Sequence, residues 1–210
     1  MKKELQKRIL SSLVLIPTAL FFIIKGSYFF NFFILICLFI SLYEWHYISK
    51  KKDYKILGII FLFFSFCVAF IIREADSFKP FLFIVIICIS TDIGGYIFGK
   101  IFKGPKLTKI SPKKTYAGVF GSFLLSLIAG VIYTNYFDKN EITNFDHLFI
   151  LILILFISLI SQIGDLIISY FKRKAKLKDT GKILPGHGGL LDRIDGMIFV
   201  FPICYLIPIL

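Results

Sequence analysis

The stretch LFILILILFISLISQIGDLIISYF, residues 148–171, followed at once by Lys172-Arg173-Lys174, decides the fold. Its first ten residues carry no polar side chain at all. A helix buried in a soluble core would show polar positions at helical spacing, and residues 148–157 show none. At about 1.5 Å per residue the stretch reaches about 36 Å, enough to cross about 30 Å of hydrocarbon. Its second half differs. Ser158, Ser161, Gln162, Asp165, Ser169 and Lys172 follow steps of three and four, which puts them on one stripe of a helix. Such a stripe points at protein or water and not at lipid.

Working outward, six more apolar runs of spanning character appear: Ile9 to Ile24, Tyr28 to Ile48, Ile56 to Ile72, Pro80 to Phe98, Tyr116 to Phe137 and Ile194 to Leu210. The fold expected is an all-α polytopic membrane bundle of about seven transmembrane helices. Composition agrees: 57% of the 210 residues are hydrophobic and 26 are Phe, with a mean hydropathy of +0.82. Soluble domains sit at roughly 45–50% apolar. So large an excess excludes a disordered chain, a collagen or a disulfide scaffold. The four cysteines (Cys37, Cys67, Cys88, Cys204) lie scattered in apolar runs without paired spacing, and read as small hydrophobes.

The chain also carries a net charge of +12, and its distribution orients the bundle. Lys and Arg number four before the first run, then one, four, two, six, one and seven in the successive loops, so 21 of 25 fall on alternate loops. By the positive-inside rule the N-terminus and those three loops are cytoplasmic. The first run has a signal-like basic flank, but Lys25-Gly26-Ser27-Tyr28 after it offers no small-residue cleavage site, and it reads as a retained span. The whole chain, 1–210, reads as one membrane domain: N-terminal spans in 1–91, and a catalytic part in 92–210 with cytoplasmic loops 99–115 and 172–193.

Four aspartates, Asp92, Asp165, Asp192 and Asp195, lie within or at the edge of spans. A carboxylate near hydrocarbon is costly and normally faces the bundle interior with a partner. Converted to depth, all four fall in the cytoplasmic half and can converge on one pocket. Asp92, Gly95, Tyr96 and Gly99 share a helix face, whose glycines let another backbone approach closely. The two basic loops flank this pocket. One reads KIFKGPKLTKISPKKTY from Lys100 and the other KRKAKLKDTGKILPGHGGLLDRI from Lys172. Glycine-rich turns present N–H groups to phosphates, lysines neutralise them, and carboxylates hold the Mg²⁺ that bridges phosphate oxygens. Acids beside cations argue against a simple anion site and point to a metal-nucleotide.

The string from Ser169 through Phe171-Lys172-Arg173, Lys178-Asp179, Gly181, Leu184-Pro185-Gly186-His187-Gly188-Gly189-Leu190, Asp192-Arg193 and Asp195 resembles the signature of the phosphatidate cytidylyltransferases, or CDP-diacylglycerol synthases. Asp92, Gly94-Gly95-Tyr96 and Gly99, and Ser111-Pro112-Lys113-Lys114-Thr115 with Gly118, are similar to two further segments of that family. Gly95 and Ala117 depart from it, standing where Ala and Glu are common. Glu44-Trp45 at the inner end of the second run is also similar, although an interfacial Trp needs no such explanation.

The resemblance implies transfer of a cytidylyl group from CTP to phosphatidate in the inner membrane of a bacterium, with the active site facing the cytoplasm. It implies Asp165, Asp192 and Asp195 as ligands of Mg²⁺, with a second cation left open. Lys113, Lys114, Lys172, Arg173, Lys178 and Arg193 would then hold phosphates, helped by Ser111 and Asp92, and the turn at Gly186, Gly188 and Gly189 would lie over the nucleotide. His187 is either a turn residue or a phosphate or proton-transfer contact. The partners expected are CTP, phosphatidate and membrane lipid, with no nucleic acid and a homodimer as an option. A related lipid-phosphate or polyprenol transferase is the nearest alternative. A transporter of anionic solutes would need polar residues through the full depth of the spans, which the outer halves lack.

Overall fold

The computed structural model describes residues 2–50, 52–75, 77–108, 111–112, 114–137, 146–184, 186 and 188–207, with side chains from residue 13 onward. Lys113 and His187 therefore lie outside the described residues. The elements are α1 (Lys2–Lys25), α2 (Ser27–Ile48), α3 (Lys55–Glu74), α4 (Lys79–Phe102), α5 (Tyr116–Phe137), α6 (His147–Lys174), α7 (Leu191–Ile194) and α8 (Met197–Tyr205). Among the described residues there is no strand, only isolated bridges between Lys106 and Thr115 and between Leu184 and Gly188. Five helices, α2 to α6, are long and apolar enough to cross a membrane, and α1 contributes a shorter apolar segment, Leu13–Lys25.

Helix ends sit where the local chemistry puts them. Pro80 occupies the first turn of α4, where its missing N–H deprives no carbonyl of a donor. Lys172, Arg173 and Lys174 close α6 and complement the negative end of its dipole. At Gly26, with φ of +63°, α1 gives way to α2, and a Cβ there would collide with the Arg73 guanidinium. That buried arginine donates from Nε to the Ile23 carbonyl at 2.6 Å, satisfying a helix-end acceptor that otherwise has no partner. Within the run expected from Ile194 to Leu210, the described helical path from Leu191 to Tyr205 is broken in its hydrogen bonding. Asp195 and Gly196 keep helical dihedrals, but the Gly196 amide is donated to Asp195 Oδ1 at 3.0 Å.

The interior separates into two apolar regions. The larger is built on Phe30, Phe83, Ile84, Ile87, Ile154, Ile157 and Val200, all fully buried. The smaller gathers Trp45, Ile48, Leu62, Ile168, Leu191 and Ile198 beneath the basic end of the bundle. Trp45 is not an interfacial anchor. It is 4% exposed, packs edge-on to Phe171 at 5.2 Å and donates from Nε1 to the Lys55 carbonyl. The outer surface is apolar too, with Phe32, Phe39, Ile60, Phe120 and Ile152 all strongly exposed, as a lipid-facing belt requires.

Helices α4 and α5 meet along small residues, as the spacing of Gly95 and Gly99 implies. A Cβ on Gly94 would run into the Gly121 carbonyl, and one on Gly118 would stand 2.9 Å from the Gly95 oxygen. Hydrogen bonds then fix the register: Ser122 Oγ donates to the Thr91 carbonyl at 2.8 Å, and Thr91 Oγ1 donates to Ser158 Oγ of α6 at 2.9 Å. Such interhelical bonds contribute roughly 0.6 kcal/mol each within a membrane.

Candidate active site

The polar stripe of α6 faces inward and meets α4, α5 and the segment before α7. Asp165 Oδ2 pairs with Lys114 Nζ at 2.6 Å, and its Oδ1 accepts from Ser169 Oγ one turn on at 3.1 Å. Lys114 comes from the first basic loop, which folds back on itself: the Leu107 amide donates to the Lys114 carbonyl at 2.8 Å. Thr115 then opens α5, its Oγ1 accepting the Gly118 amide as a helix cap.

Asp192 is the centre of the second basic loop. Its Oδ1 accepts from Lys172 Nζ at 2.8 Å, while Oδ2 accepts the amides of Thr180 at 2.8 Å and Gly189 at 3.1 Å. Lys172 also lies 3.9 Å from Asp195 Oδ2, and all three side chains are buried. One ammonium thus stands between two carboxylates that neighbouring turns bring together. The glycine-rich turn is held as tightly. Leu184 and Gly188 exchange both backbone hydrogen bonds, at 2.9 and 3.2 Å, and Gly186 and Gly188 take φ of +77° and +91°, a region that only glycine enters freely. The Gly188 and Gly189 amides are thereby given to Leu184 and Asp192, so in this arrangement the turn presents neither to a phosphate and serves to hold Asp192.

A residue from the first half of the chain anchors this loop. Glu44 of α2 is fully buried. Its Oε1 accepts the Leu190 amide at 2.9 Å, and its Oε2 accepts the Leu191 amide at 2.8 Å and the Thr180 hydroxyl at 2.7 Å. Gly181 and Gly189 leave it room, since a Cβ on either would enter the space of this carboxylate. The sequence signal was Glu44 itself, an acid within an apolar run beside the family-like Trp45.

These elements enclose a cavity of about 360 Å³, within the usual range for small-ligand sites. Asp92, Asp165, Asp192 and Asp195 all line it, as expected, with Ser111, Lys114, Lys172 and Arg193. The structure adds Thr91, Tyr96, Gln162 and Asp179 to its wall. It does not bring Arg173 or Lys178 there: Arg173 Nη1 donates to the Leu177 carbonyl, and Lys178 is exposed. Beyond Thr91 and Ser158 the interior closes over fully buried Ile84, Ile87, Ile154 and Ile157.

The cavity is richer in acids than the chain as a whole. Its described lining holds five carboxylates, Asp92, Asp165, Asp179, Asp192 and Asp195, against the cations Lys114, Lys172 and Arg193. Acids set among cations in one cavity fit a hard divalent cation that arrives with a polyanion. Among the described residues no three His, Cys, Asp or Glu side chains are grouped closely enough to hold an ion unaided. Mg²⁺ commonly takes only one or two carboxylates and completes its shell with water and substrate phosphates.

A helical bundle of membrane-spanning character with a pocket of lysines and carboxylates defines a membrane enzyme of phosphate chemistry. The chain belongs to the cytidylyltransferase family, whose pattern its residues match over two overlapping stretches, 6–75 and 57–209. It is 36% identical over 220 residues to a phosphatidate cytidylyltransferase of Rickettsia felis, covering 100% of this chain and 94% of that protein. It is 35% identical to the protein of that name in Rickettsia bellii, over 98% of this chain and 91% of the relative. Against the phosphatidate cytidylyltransferase of Staphylococcus haemolyticus the identity is 36%, over 73% of this chain and 55% of the relative.

Proposed function

We propose that this enzyme is a CTP:phosphatidate cytidylyltransferase that makes CDP-diacylglycerol and pyrophosphate. A phosphate oxygen of phosphatidate bonds to the α-phosphorus of CTP, and the bond from that phosphorus to the bridging oxygen breaks, releasing pyrophosphate. The observation that carries this reading is the placement of the family motifs, from Asp92, Ser111 and Lys114 to Asp195, around one cavity. A phosphomonoester has a second pKa near about 6, so its oxygen is already anionic at neutral pH and needs no general base. The work left to the protein is to hold two polyanions together and to stabilise the charge on the departing pyrophosphate.

Lys114, Lys172 and Arg193, with Lys113 next to Lys114 in sequence, are the phosphate-holding cations, and Lys114 and Lys172 give up their carboxylates when phosphate arrives. One or two of Asp165, Asp192 and Asp195 at a time would hold Mg²⁺, with Asp92 beside them and water and substrate phosphates completing its shell. When bound, that ion supplies charge neutralisation at the phosphate oxygens. The pocket faces the cytoplasm in this reading, where CTP is available. The chain then crosses the inner membrane seven times from a cytoplasmic N-terminus, a topology supported by the alternation of basic loops. Phosphatidate comes from the surrounding bilayer.

The test is purified protein with CTP, Mg²⁺ and phosphatidate, scored for both pyrophosphate and CDP-lipid. Equal release of both is expected. Pyrophosphate without CDP-lipid, or product only with a polyprenol phosphate in place of phosphatidate, would overturn the assignment.

A further inference from the structure

Among the described residues none before Thr91 lines the cavity, yet the loop that carries half of its charged groups is hydrogen-bonded to the first half of the chain at one side chain, Glu44. Every acceptor position that Glu44 uses is filled from residues 180–191: the Thr180 hydroxyl and the Leu190 and Leu191 amides. Thr180, itself fully buried, passes the connection on, because its amide donates to Asp192 Oδ2 while its hydroxyl donates to Glu44. Asp192 in turn fixes Lys172, and Lys172 faces Asp195. A continuous chain of hydrogen bonds and ion pairs therefore runs from α2 to the cavity wall: Glu44, Thr180, Asp192, Lys172, Asp195.

We infer that Glu44 is a positioning residue for the transferase reaction, a buried latch on α2 that sets the Asp192–Lys172 pair through Thr180. The inference rests on the reading of this site as a cytidylyltransferase. The chemistry requires a carboxylate there. Three donors converge on it, and an amide of the same shape offers one oxygen acceptor and must turn its NH₂ group toward at least one backbone amide that cannot accept. The Gly181 and Gly189 contacts are part of the same device, since any larger residue at either position would displace the carboxylate from its donors.

Glu44 touches no cavity atom, so its loss should disturb orientation more than ground-state binding. In Glu44→Gln and Thr180→Val, kcat should fall on the order of ten- to a hundredfold, the scale of about 1 Å of misplacement at a reacting centre, while KM for CTP stays within about threefold. Thr180→Ser keeps the hydroxyl and should hold kcat within about twofold of wild type. The double variant Glu44→Gln/Thr180→Val should be no slower than the worse single variant, because both cut one connection. A raised KM with unchanged kcat, additive losses, or wild-type kinetics in Thr180→Val would overturn the inference.

A second measurement does not depend on activity. Lys178 and Lys182 are both exposed on the loop, and trypsin should cut there about tenfold faster in Glu44→Gln than in the wild-type protein. Equal cleavage would overturn the latch. A wild-type protein that makes no CDP-lipid would sink the transferase reading while the trypsin comparison still decides the latch.

Discussion

Lys172→Met removes the ammonium that stands between two buried carboxylates, and its cost follows from exposure. The side chains of Lys172, Asp192 and Asp195 are 9, 7 and 8% exposed, so water cannot replace what the methionine takes away. Breaking a buried pair by deleting one partner costs about 3–5 kcal/mol. Lys114→Met is the internal comparison. It breaks the Asp165 pair at 2.6 Å, but those side chains are 24 and 27% exposed, and partial hydration brings the expected cost nearer to about 1 kcal/mol. The chain carries its own probe. Its single tryptophan, Trp45, packs 5.2 Å from Phe171, the residue before Lys172. Equilibrium unfolding in mixed detergent, followed by Trp45 fluorescence, should show Lys172→Met losing several times what Lys114→Met loses. Adding Asp192→Asn to Lys172→Met should recover part of that loss, since the asparagine oxygen can still accept the Thr180 and Gly189 amides without leaving an unpaired charge. Equal losses in the two lysine variants, or strict additivity in the Lys172–Asp192 cycle, would refute the argument.

Three other outcomes are expected. Asp192→Asn alone should abolish Mg²⁺-dependent formation of CDP-diacylglycerol while the protein remains in the membrane fraction; wild-type rates at ordinary Mg²⁺ would remove its metal role. Lys113→Ala should mainly raise the apparent KM for an anionic substrate, and unchanged kinetics would take that lysine out of the site. Gly94→Leu should separate α4 from α5, because even a Cβ at this position collides with the Gly121 carbonyl; loss of folded protein in detergent is expected, whereas Phe120→Leu on the exposed face of α5 should be neutral.

The parts of this fold legible in the sequence are those written in local periodicity. The runs that became α2 to α6 were readable because each backbone amide inside lipid must be satisfied within its own helix, so length and apolarity alone mark the element. The inward stripe of α6 followed from spacing, and Asp92, Asp165, Asp192 and Asp195 reached one cavity because few other positions tolerate a carboxylate at that depth. What resisted reading is long-range. Glu44 lies 136, 146 and 147 positions from its three partners, and nothing in its neighbourhood names them. Trp45 looked interfacial because its residue type is common there, whereas packing against Phe171 and Tyr54 buries it. Arg173 and Lys178 shared the motif but not the pocket: at the end of α6 successive side chains splay to different faces and of Lys172, Arg173 and Lys174 only Lys172 lines the cavity, while Lys178 lies exposed beyond the helix.

The surplus of carboxylates in the cavity leads to one more expectation. Lys114 and Lys172 are engaged by Asp165 and Asp192, an arrangement that keeps charges paired in a poorly solvated space. A phosphate that captures those ammonium groups leaves the aspartates uncompensated, and a divalent cation that binds the aspartates releases the ammonium groups to phosphate. Each ligand therefore raises the affinity for the other, and by linkage the effect is reciprocal. A non-reacting CTP analogue should bind this protein about 5- to 150-fold more tightly with Mg²⁺ than without, the range of ordinary coupling between sites. The gain should shrink in Asp165→Asn, which leaves Lys114 free for phosphate from the outset. Titration calorimetry in detergent measures both quantities. Equal affinity with and without Mg²⁺ would mean that the lysines hold the nucleotide by themselves, and that the five carboxylates of the lining serve only the fold.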